Sequence, residues 1–481
     1  MVRPNVITMS NYSIENIDTN HYRIEQQDQM NTEVNLYISP KLLDAVEDES
    51  LDQLTNSASL PGVRYVGGMP DIHVGYGVPV GGVLGMDPDE GLISAGAVGM
   101  DINCGMRLMM SDIPAEKLDR DQLKNLGRAI LRRVPVGVGK AGPHQNELSD
   151  YTSDILEQGV SALVDPGFAR EYDLDFIQDR GTYPGADTSA IPDQAWDRLG
   201  QLGTLGGGNH FIEIVEVDEV RDPEKAKTFD IETGNLGFMI HTGSRGFGHQ
   251  ICVDYSRRMK NEAQRHGLKF PDKELASAPI NSELGQNYRK AMACAANVAY
   301  ANRQVIVHNI RGAFQEIFKR ESRDSGLRLV YDISHNLARS EEIDGKKLLV
   351  HRKGAIRALP AGHSDNPSPY QKTGHPVLIP GNMATGSYVL TAGNRADETW
   401  YSVNHGAGRT MSRTRAKNQI NTHEMMNALG KTQLLGASRK KIRDEAPQAY
   451  KNIVDVIDVF TKINLTQKIC HLRPLVTIKG D

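Results

Sequence analysis

The stretch GAVGMDINCGMRL, residues 96–108, places the carboxylate of Asp101 three residues before the thiol of Cys104 in an otherwise apolar segment. Residues three apart in a β-strand point to opposite faces. The two side chains can serve one site only if the backbone turns between them, at Ile102 and Asn103, and the flanking glycines permit such a turn. The alternative interpretation is a core cysteine beside an aspartate that caps a turn. Taken by themselves, these residues favour that alternative.

The composition around this stretch is that of a globular protein with a sizeable core, since 39% of the 481 residues are hydrophobic and 24% are charged. The formal net charge of −5 provides no global basic field, so a polyanion would have to bind a local patch. Four scattered cysteines form no CxxC pair, which indicates a reducing compartment. Residues 1–20 lack the apolar core of a signal sequence, and no apolar run is long enough to span a bilayer. We therefore predict a cytoplasmic protein without membrane contact.

No repeat or linker divides the chain, and we predict one domain over residues 1–481. Residues 139–200, dense in Pro, Gly and Asp, are expected to form a loop-rich excursion from it. Residues 287–320 predict a long helix. A second, amphipathic helix is predicted near the C-terminus from Ile453, Val456, Ile457 and Phe460, which follow i, i+3, i+4, i+7 spacing.

Short apolar runs predict strands. They are FIEIVEV (211–217), LGFMI (236–240), LRLVYDI (327–333), HPVLI (375–379) and TWYSV (399–403). Helices and strands do not alternate regularly, so the predicted fold class is α+β, with mixed β-sheets at the core and surrounding helices.

Four histidines, His210, His241, His335 and His405, lie at the ends of predicted strands beside glycine-rich turns. One such histidine is usually structural, but four favour a shared site, because folds assemble ligands at strand ends. Imidazoles, a thiolate and a carboxylate together suit a borderline-soft metal ion. These donors exceed what one tetrahedral ion needs, so a bridged pair of ions sharing the thiolate is plausible.

The glycine-rich turns offer backbone N–H groups that can hold phosphate oxygens. They are GGGN (206–209), HTGSRG (241–246), PGNMATGS (380–387) and HGAGR (405–409). None matches the P-loop or the Rossmann fingerprint, so a nucleotide would be held by a different design.

Taken in order along the chain, these motifs resemble the signatures of the RtcB family, the GTP- and manganese-dependent RNA-splicing ligases. The motifs are DINCG (101–105), LGGGNHFIE (205–213), HTGSRGFGHQ (241–250), SHN (334–336), HRKGA (351–355), PGNM (380–383) and NHGAGR (404–409). The resemblance extends from residues 68–82 to residues 477–480, which is nearly the whole chain.

The resemblance implies two Mn²⁺ ions, one bound by Asp101, Cys104 and His210, the other by Cys104, His241 and His335. The residue types themselves do not select manganese, since thiolate and imidazole suit zinc as well. It also implies that His405 is the nucleophile, which forms a GMP–histidine intermediate with GTP. The GMP then activates an RNA 3′-phosphate, and a 5′-hydroxyl end is joined to it, in tRNA splicing or RNA repair. A 2′,3′-cyclic phosphate end is opened beforehand.

The resemblance further implies a set of nucleotide-contacting positions. They are Asn209, His210, Glu213, His335, Asn336, Pro380, Gly381, Asn382, Met383, Ser387, His405, Gly406, Ala407, Gly408 and Lys479. A carboxylate at Glu213 can accept two hydrogen bonds from the guanine edge, which favours GTP over ATP. Strand alternation places Asn209 and Glu213 on one face and His210 on the other.

RNA is the expected substrate, and an archease-type activator is an expected partner of a monomeric protein. The basic runs 351–357 and 408–418 adjoin the predicted site and are expected to contact RNA phosphates, whereas 438–443 is expected to be plain surface. Arg245 and Arg409 are candidates either for RNA phosphate or for capping turns.

Two other functions compete with the ligase. A dinuclear metal-dependent phosphatase or nuclease fits the metal ligands alone. A non-catalytic guanine-nucleotide-binding protein fits the glycine-rich turns. His405 in HGAGR separates the ligase from a hydrolase, which needs no such nucleophile, and the bridging thiol separates it from a binding module.

Overall fold

The structure is a computed structural model that describes residues 6–9, 11–265, 269–319 and 326–481. Its strands, in chain order, are β1 Val6–Met9, β2 Tyr12–Asp18, β3 His21–Ile24, β4 Val34–Tyr37, β5 Val63–His73, β6 Val80–Met86, β7 Leu92–Ser94, β8 Gly105–Pro114, β9 Phe211–Val220, β10 Asn235–Thr242, β11 Ser277–Pro279, β12 Arg328–Ser334, β13 Asn336–Ile343, β14 Lys346–Lys353, β15 Ala355–Arg357, β16 Val377–Asn382, β17 Gly386–Ala392, β18 Ser402–Asn404, β19 Gln433–Gly436 and β20 Thr466–Lys479.

The α-helices are α1 Pro40–Leu43, α2 Asp48–Ala58, α3 Ala95–Val98, α4 Arg120–Arg133, α5 Thr152–Gln158, α6 Asp193–Trp196, α7 Pro223–Thr228, α8 Arg245–Arg265, α9 Glu283–Phe318, α10 Arg413–Gln419, α11 Thr422–Ala428 and α12 Ile453–Thr461. Short 3₁₀ helices supplement them at Ala115–Lys117, Ser149–Tyr151, Gly159–Leu163, Glu171–Phe176, Gln178–Gly181, Thr188–Ala190, Leu199–Gln201, Lys273–Leu275, Ser368–Tyr370, Ala396–Thr399, Arg443–Glu445 and Pro447–Ala449. Among the described residues, no helix is both long enough and apolar enough to span a membrane.

Two large mixed sheets carry the fold. The first has the order β1-β2-β3-β4-β5-β6-β14-β13, with β4 and β5 parallel. The second has the order β12-β8-β10-β9-β20-β17-β16, and β19 pairs in parallel with β20. Buried side chains of both sheets and of α9 belong to one hydrophobic cluster. The α+β prediction is confirmed.

The predicted long helix corresponds to α9, which begins at Glu283 after the N-cap Ser282, and residue 320 of the prediction lies outside the described residues. Its buried face is apolar over much of its length, but it also carries Asn302 and Arg303 with no solvent exposure. The predicted amphipathic helix is α12, and all four of the residues that predicted it are buried.

Three of the predicted apolar runs fall within strands, to a margin of one residue, whereas HPVLI is extended only from Val377 and TWYSV overlaps a strand only in part. Trp400 and Tyr401 have positive φ values of 52° and 51°, and only Ser402–Asn404 is extended. The prediction is wrong at Thr399–Tyr401 because a left-handed turn follows the 3₁₀ helix there. Residues 139–200 contain short helices and turns and no strand among them, and they pack partly on α9.

Candidate active site

The turn predicted before Cys104 is present, and Asn103 adopts a positive φ of 53° there. Asn is one of the few side-chain-bearing residues that tolerates this conformation. Gly105 then begins β8, and a Cβ at this position would lie 2.5 Å from the carbonyl oxygen of Ile333. The turn and the close packing of β8 on β12 bring Asp101 and Cys104 to one end of the second sheet.

Neighbouring strands end at the same place. The first residue of β8 pairs with Thr242 of β10 on one side and with Ser334 of β12 on the other. His241 precedes Thr242 in β10, and His335 directly follows β12. His210 directly precedes β9, which pairs with β10. Residues far apart in the sequence therefore converge because of strand register.

The converging donor atoms lie within a few ångströms of one another. Cys104 Sγ is 3.3 Å from His210 Nε2 and 3.3 Å from His241 Nε2. His241 Nε2 is also 3.3 Å from His335 Nε2. Asp101 Oδ2 lies 2.9 Å from His210 Nε2. This group of five residues is called the ligand cluster below.

Burial sets the protonation states in the ligand cluster. It lowers the pKa of His210 and lowers those of His241 and His335 well below the usual value, so the imidazoles are neutral. Burial also raises the pKa of the Cys104 thiol well above its usual value. Neutral imidazole is the form that binds metals, and a metal would have to displace the thiol proton.

Two buried polar atoms in the cluster have no hydrogen-bond partner among the described residues. They are Asp101 Oδ2, which approaches His210 without hydrogen-bonding geometry, and His335 Nδ1. Buried polar atoms are nearly always satisfied, so the unsatisfied carboxylate oxygen needs an explanation. A divalent ion would satisfy it, and thiolate, imidazole and carboxylate are suitable ligands. The cluster therefore fits a metal centre.

His405, which follows β18, stands beside the ligand cluster, with its ring centroid 4.8 Å from that of His335. Its Nδ1 is 2.7 Å from Oδ2 of the fully buried Asp71 in β5. The same oxygen accepts hydrogen bonds from the backbone N–H groups of His405 (3.0 Å) and Gly406 (3.1 Å). Three hydrogen bonds to one carboxylate oxygen fix the imidazole, and a proton on Nδ1 leaves Nε2 with a free lone pair.

One cavity of about 510 Å³ joins these groups. Every sequence-predicted site residue lines it, namely Asp101, Cys104, Asn209, His210, Glu213, His241, His335, Asn336, Pro380, Gly381, Asn382, Met383, Ser387, His405, Gly406, Ala407, Gly408 and Lys479. Asn209, His210 and Glu213 thus line one cavity, and strand alternation does not apply to Asn209 and His210, because β9 begins only at Phe211.

The end of the cavity formed by the second sheet carries a buried carboxylate. Glu213 in β9 is opposite Thr477 in β20, whose hydroxyl donates to Glu213 Oε1 at 2.9 Å. Burial raises the pKa of Glu213 to about 7, against the opposing effects of Thr477 and Lys479. The Lys479 ammonium lies 5.9 Å from the centroid of Phe211. This end can recognise a polar, flat group with hydrogen-bond donors.

The family profile that matches this chain and three of its relatives all carry the name RtcB. The profile of the family described as "tRNA-splicing ligase RtcB" matches residues 53–480. The tRNA-splicing ligase RtcB of Methanococcus maripaludis is 42% identical over 466 residues, which cover 95% of this chain and 97% of the relative. The corresponding protein of Thermococcus kodakarensis is 41% identical over 481 residues, covering 97% and 99%. The RNA-splicing ligase RtcB of Mycobacterium tuberculosis is 42% identical over 441 residues, covering 89% and 100%.

The chain belongs to the RtcB family. Membership disfavours the phosphatase or nuclease that the metal ligands alone would fit, since the family and these relatives are named as ligases.

In this member of the RtcB family, Asn382 caps its own loop. Its side-chain oxygen accepts hydrogen bonds from the backbone N–H groups of Ala384 (2.9 Å) and Thr385 (3.0 Å). Such an Asx turn holds the loop in place.

The basic run 351–357 of this RtcB chain differs from the expectation that it contacts RNA. In the run 351–357, Arg352 is buried and forms a bidentate pair with Glu341, while Arg357 is buried against Asp365. The prediction of an RNA-facing surface is wrong for them, because the run lies in β14 and β15 and their charges are neutralised internally. Lys353 does reach the cavity, where its ammonium donates to two backbone carbonyls.

Of the two arginines singled out from the sequence, Arg409 lines the cavity of this family member, whereas Arg245 contacts the cavity-lining His210. Arg409 stacks on Tyr450 with 5.2 Å between guanidinium and ring centroid, and it donates to the Asp444 carbonyl at 2.7 Å. Arg245 Nη1 lies 3.0 Å from His210 Nδ1. Both guanidinium groups are thus engaged by protein groups.

Sequence reasoning missed Asp71 and Glu445. Asp71 lies within residues 68–82, where the resemblance to the RtcB family begins, but its residue type and neighbours suggest no role for it. Glu445 lines the cavity and lies 2.6 Å from Arg413 and 3.2 Å from Lys479. No local pattern marks Glu445, because its cationic partners come from two distant segments, around Arg413 and at Lys479.

Proposed function

We propose that this protein is an RNA ligase that joins RNA 3′-phosphate or 2′,3′-cyclic-phosphate ends to 5′-hydroxyl ends, with GTP as the activating substrate. It would act in tRNA splicing or RNA repair. The reaction has three chemical steps after any cyclic phosphate is opened. They are guanylylation of the protein, transfer of GMP to the RNA 3′-phosphate, and attack of the 5′-hydroxyl with release of GMP.

The observation that carries this proposal is the environment of His405. Hydrogen bonding of Nδ1 to Asp71 directs the Nε2 lone pair away from that carboxylate. In the first step Nε2 attacks the α-phosphorus of GTP, an N–P bond forms, and the bond to pyrophosphate breaks. The positive charge that develops on the imidazole is stabilised by the buried carboxylate. Neither competing function requires a histidine held in this way.

The ligand cluster supports a proposed pair of Mn²⁺ ions. Asp101, Cys104 and His210 would hold one ion, and Cys104, His241 and His335 the other. When bound, such ions neutralise the charge that develops on the reacting phosphates. The short distances from Cys104 to His210 and His241 support its assignment as the shared ligand.

The remaining cavity residues are proposed to hold the nucleotide. Glu213 would accept hydrogen bonds from guanine, and Asn209 and Lys479, which line the same cavity, would also contact the nucleotide. The turns at 380–383 and 406–408 would bind through backbone N–H groups, together with Ser387 and Asn336. His210 and His335 would contact both metal and nucleotide phosphate.

Three further expectations belong to the proposal. The chain acts as one domain and as a monomer in the cytoplasm. RNA ends, such as tRNA halves, are its substrates. An archease-type protein activates its turnover.

The decisive experiment removes the proposed nucleophile. His405→Ala should retain its metal and bind GTP, yet form no covalent adduct when incubated with α-labelled GTP and Mn²⁺. It should not join RNA 3′-phosphate ends, but it should join ends supplied already guanylylated. Label on the wild-type protein should be acid-labile and alkali-stable, as a phosphoramidate is.

The matched control is His423→Ala, which removes an exposed histidine of α11 outside the cavity and should label like the wild type. Covalent label on the His405→Ala protein would exclude this residue as the nucleophile.

A further inference from the structure

A guanidinium with no solvent exposure lies behind the ligand cluster. Arg303 of α9 donates through Nη1 to the carbonyl oxygens of Asn103 (2.8 Å) and Thr242 (2.9 Å). Asn103 directly precedes the ligand Cys104, and Thr242 directly follows the ligand His241. One nitrogen thus links the backbone of two segments that carry proposed metal ligands.

The other donors of Arg303 reach a third ligand-bearing segment. Nε and Nη2 form a bidentate pair with Asp332 of β12 at 2.7 and 2.9 Å. Asp332 lies three residues before His335, and Arg107 of β8 holds the same carboxylate at 2.5 Å. The planar guanidinium suits such simultaneous contacts, because its donors are fixed in a fork.

Asn302, which precedes Arg303 on α9, also binds the backbone near the proposed metal ligands. Asn302 donates to the carbonyl oxygens of Thr204 (3.2 Å) and Gly243 (3.1 Å), and its oxygen accepts from the backbone N–H of Gly203 (2.8 Å). Residues 203–204 lead into the turn before His210. Every histidine of the ligand cluster is therefore on a segment tied to Asn302 or Arg303.

We infer that Arg303 is a positioning residue that sets the geometry of the metal ligands Cys104, His241 and His335, with Asn302 as its auxiliary. This inference rests on the proposed metal centre. It explains why a long buried helix carries an arginine and an asparagine side by side at its centre, facing the ligand-bearing segments.

The test measures metal binding directly. Arg303→Lys keeps the positive charge but cannot bridge three segments with one compact ammonium group. In the full-length protein, we expect Mn²⁺ affinity in calorimetry to fall about 10- to 100-fold, as for other residues that orient metal ligands. With Co²⁺ as a spectroscopic probe, the thiolate-to-metal absorption should weaken, since the Cys104 segment loses its anchor.

Arg311→Lys is the matched control. Arg311 is also a buried arginine of α9 in a bidentate pair with a buried aspartate, Asp173, at 2.7 and 2.6 Å. Within the described residues, its hydrogen bonds reach no segment that carries a ligand. We expect Arg311→Lys to lower the melting temperature by a similar amount but to leave Mn²⁺ affinity and the Co²⁺ spectrum as in the wild type.

An equal decrease of metal affinity in both lysine variants, or wild-type affinity in Arg303→Lys, would overturn the inference. If Arg303→Lys does not fold, Asn302→Ala is tested in its place. We expect this variant to bind Mn²⁺ more weakly, and unchanged binding would contradict the inference. If the wild type itself binds neither Mn²⁺ nor Co²⁺ through Cys104, the proposed metal centre fails and the inference fails with it.

Discussion

Two glutamates on the cavity wall experience opposite electrostatic environments. For Glu213, burial dominates and raises the pKa to about 7. For Glu445, burial also acts to raise the pKa, but the charges of Lys479 and Arg413 lower it well below the usual value. Glu445 is therefore a fixed anion that binds the surrounding cations, whereas the charge of Glu213 is sensitive to pH near neutrality.

The pKa of Glu213 leads to a prediction about nucleotide choice. Replacement by Gln removes one of the two acceptors proposed to bind guanine, and we expect discrimination between GTP and ATP to fall by about 1.5–3 kcal/mol. In the wild type the preference for GTP should grow as the pH rises from 6 to 8, because the carboxylate forms over that range. Competition binding of GTP and ATP at several pH values measures both effects.

The carboxyl group of Glu213 also affects stability. A rise in pH that strengthens the preference for GTP should weaken this contribution to stability. Because its pKa is raised on folding, the Glu213 contribution to the free energy of unfolding is greatest below pH 4.5 and is lost as the pH rises through about 7. Glu213→Gln should therefore melt at a higher temperature than the wild type above pH 7. Nucleotide discrimination that is unchanged in Glu213→Gln would place guanine recognition elsewhere in the cavity.

At the scale of single residues, the sequence predicts side chains within recognisable motifs and misses those that act through distant partners. The strand-end histidines stand out because four of them recur beside glycine-rich turns, and Cys104 stands out because it follows Asp101 across a predicted turn. Asp71 and Arg303 do not stand out, because an aspartate near glycines and an arginine in a helix are ordinary until the tertiary contacts are known.

At the scale of elements, the site depends on strands from different sheets. His405 follows β18, a strand of only three residues, and its position is fixed by Asp71 in β5 of the first sheet. The ligand cluster is carried by the second sheet. The predicted strands could not reveal this contact, since strand order and register are set by tertiary packing. In contrast, α12 is predictable from the i, i+3, i+4, i+7 spacing of its own apolar residues.

The contact between β5 and β18 predicts the behaviour of Asp71→Asn. The amide can still accept hydrogen bonds but lacks the charge that stabilises the developing imidazolium. We expect protein guanylylation to slow by about 10²–10⁴-fold, the range for a positioned acid–base partner, with GTP affinity close to that of the wild type. Rapid-quench measurement of labelled adduct gives the rate.

Asp173→Asn serves as the control for Asp71→Asn. Asp173 is also fully buried, but it pairs with Arg311 and does not line the cavity. Its replacement should lower stability without changing the guanylylation rate of the folded protein. Equal slowing in both variants would assign Asp71 to general stability and not to His405.

At the scale of the whole molecule, a net charge of −5 requires RNA to bind a local cationic surface. Much of the basic run 351–357 is buried, and Arg409 is engaged by Tyr450 and Asp444. Helix α10, which lies largely in the predicted run 408–418, keeps cations available, because it begins beside the cavity-lining Ser412 and exposes Arg415 and Lys417. Sequence alone could not separate these runs, since burial of a charged run depends on which strand or helix carries it.

The exposed cations of α10 give a prediction about salt dependence. Arg415→Gln/Lys417→Gln should bind single-stranded RNA more weakly, and the slope of log affinity against log salt should shrink by about 0.7 for each RNA phosphate that the variant no longer neutralises. Arg439→Gln/Lys440→Gln removes the same charge from the exposed run 438–443 and should leave the slope unchanged. Because both double variants change the net charge equally, a difference between them reports position and not the overall field. Equal slopes in the two variants would show that α10 does not contact RNA, whereas protein guanylylation, which needs no RNA, should match the wild type in both.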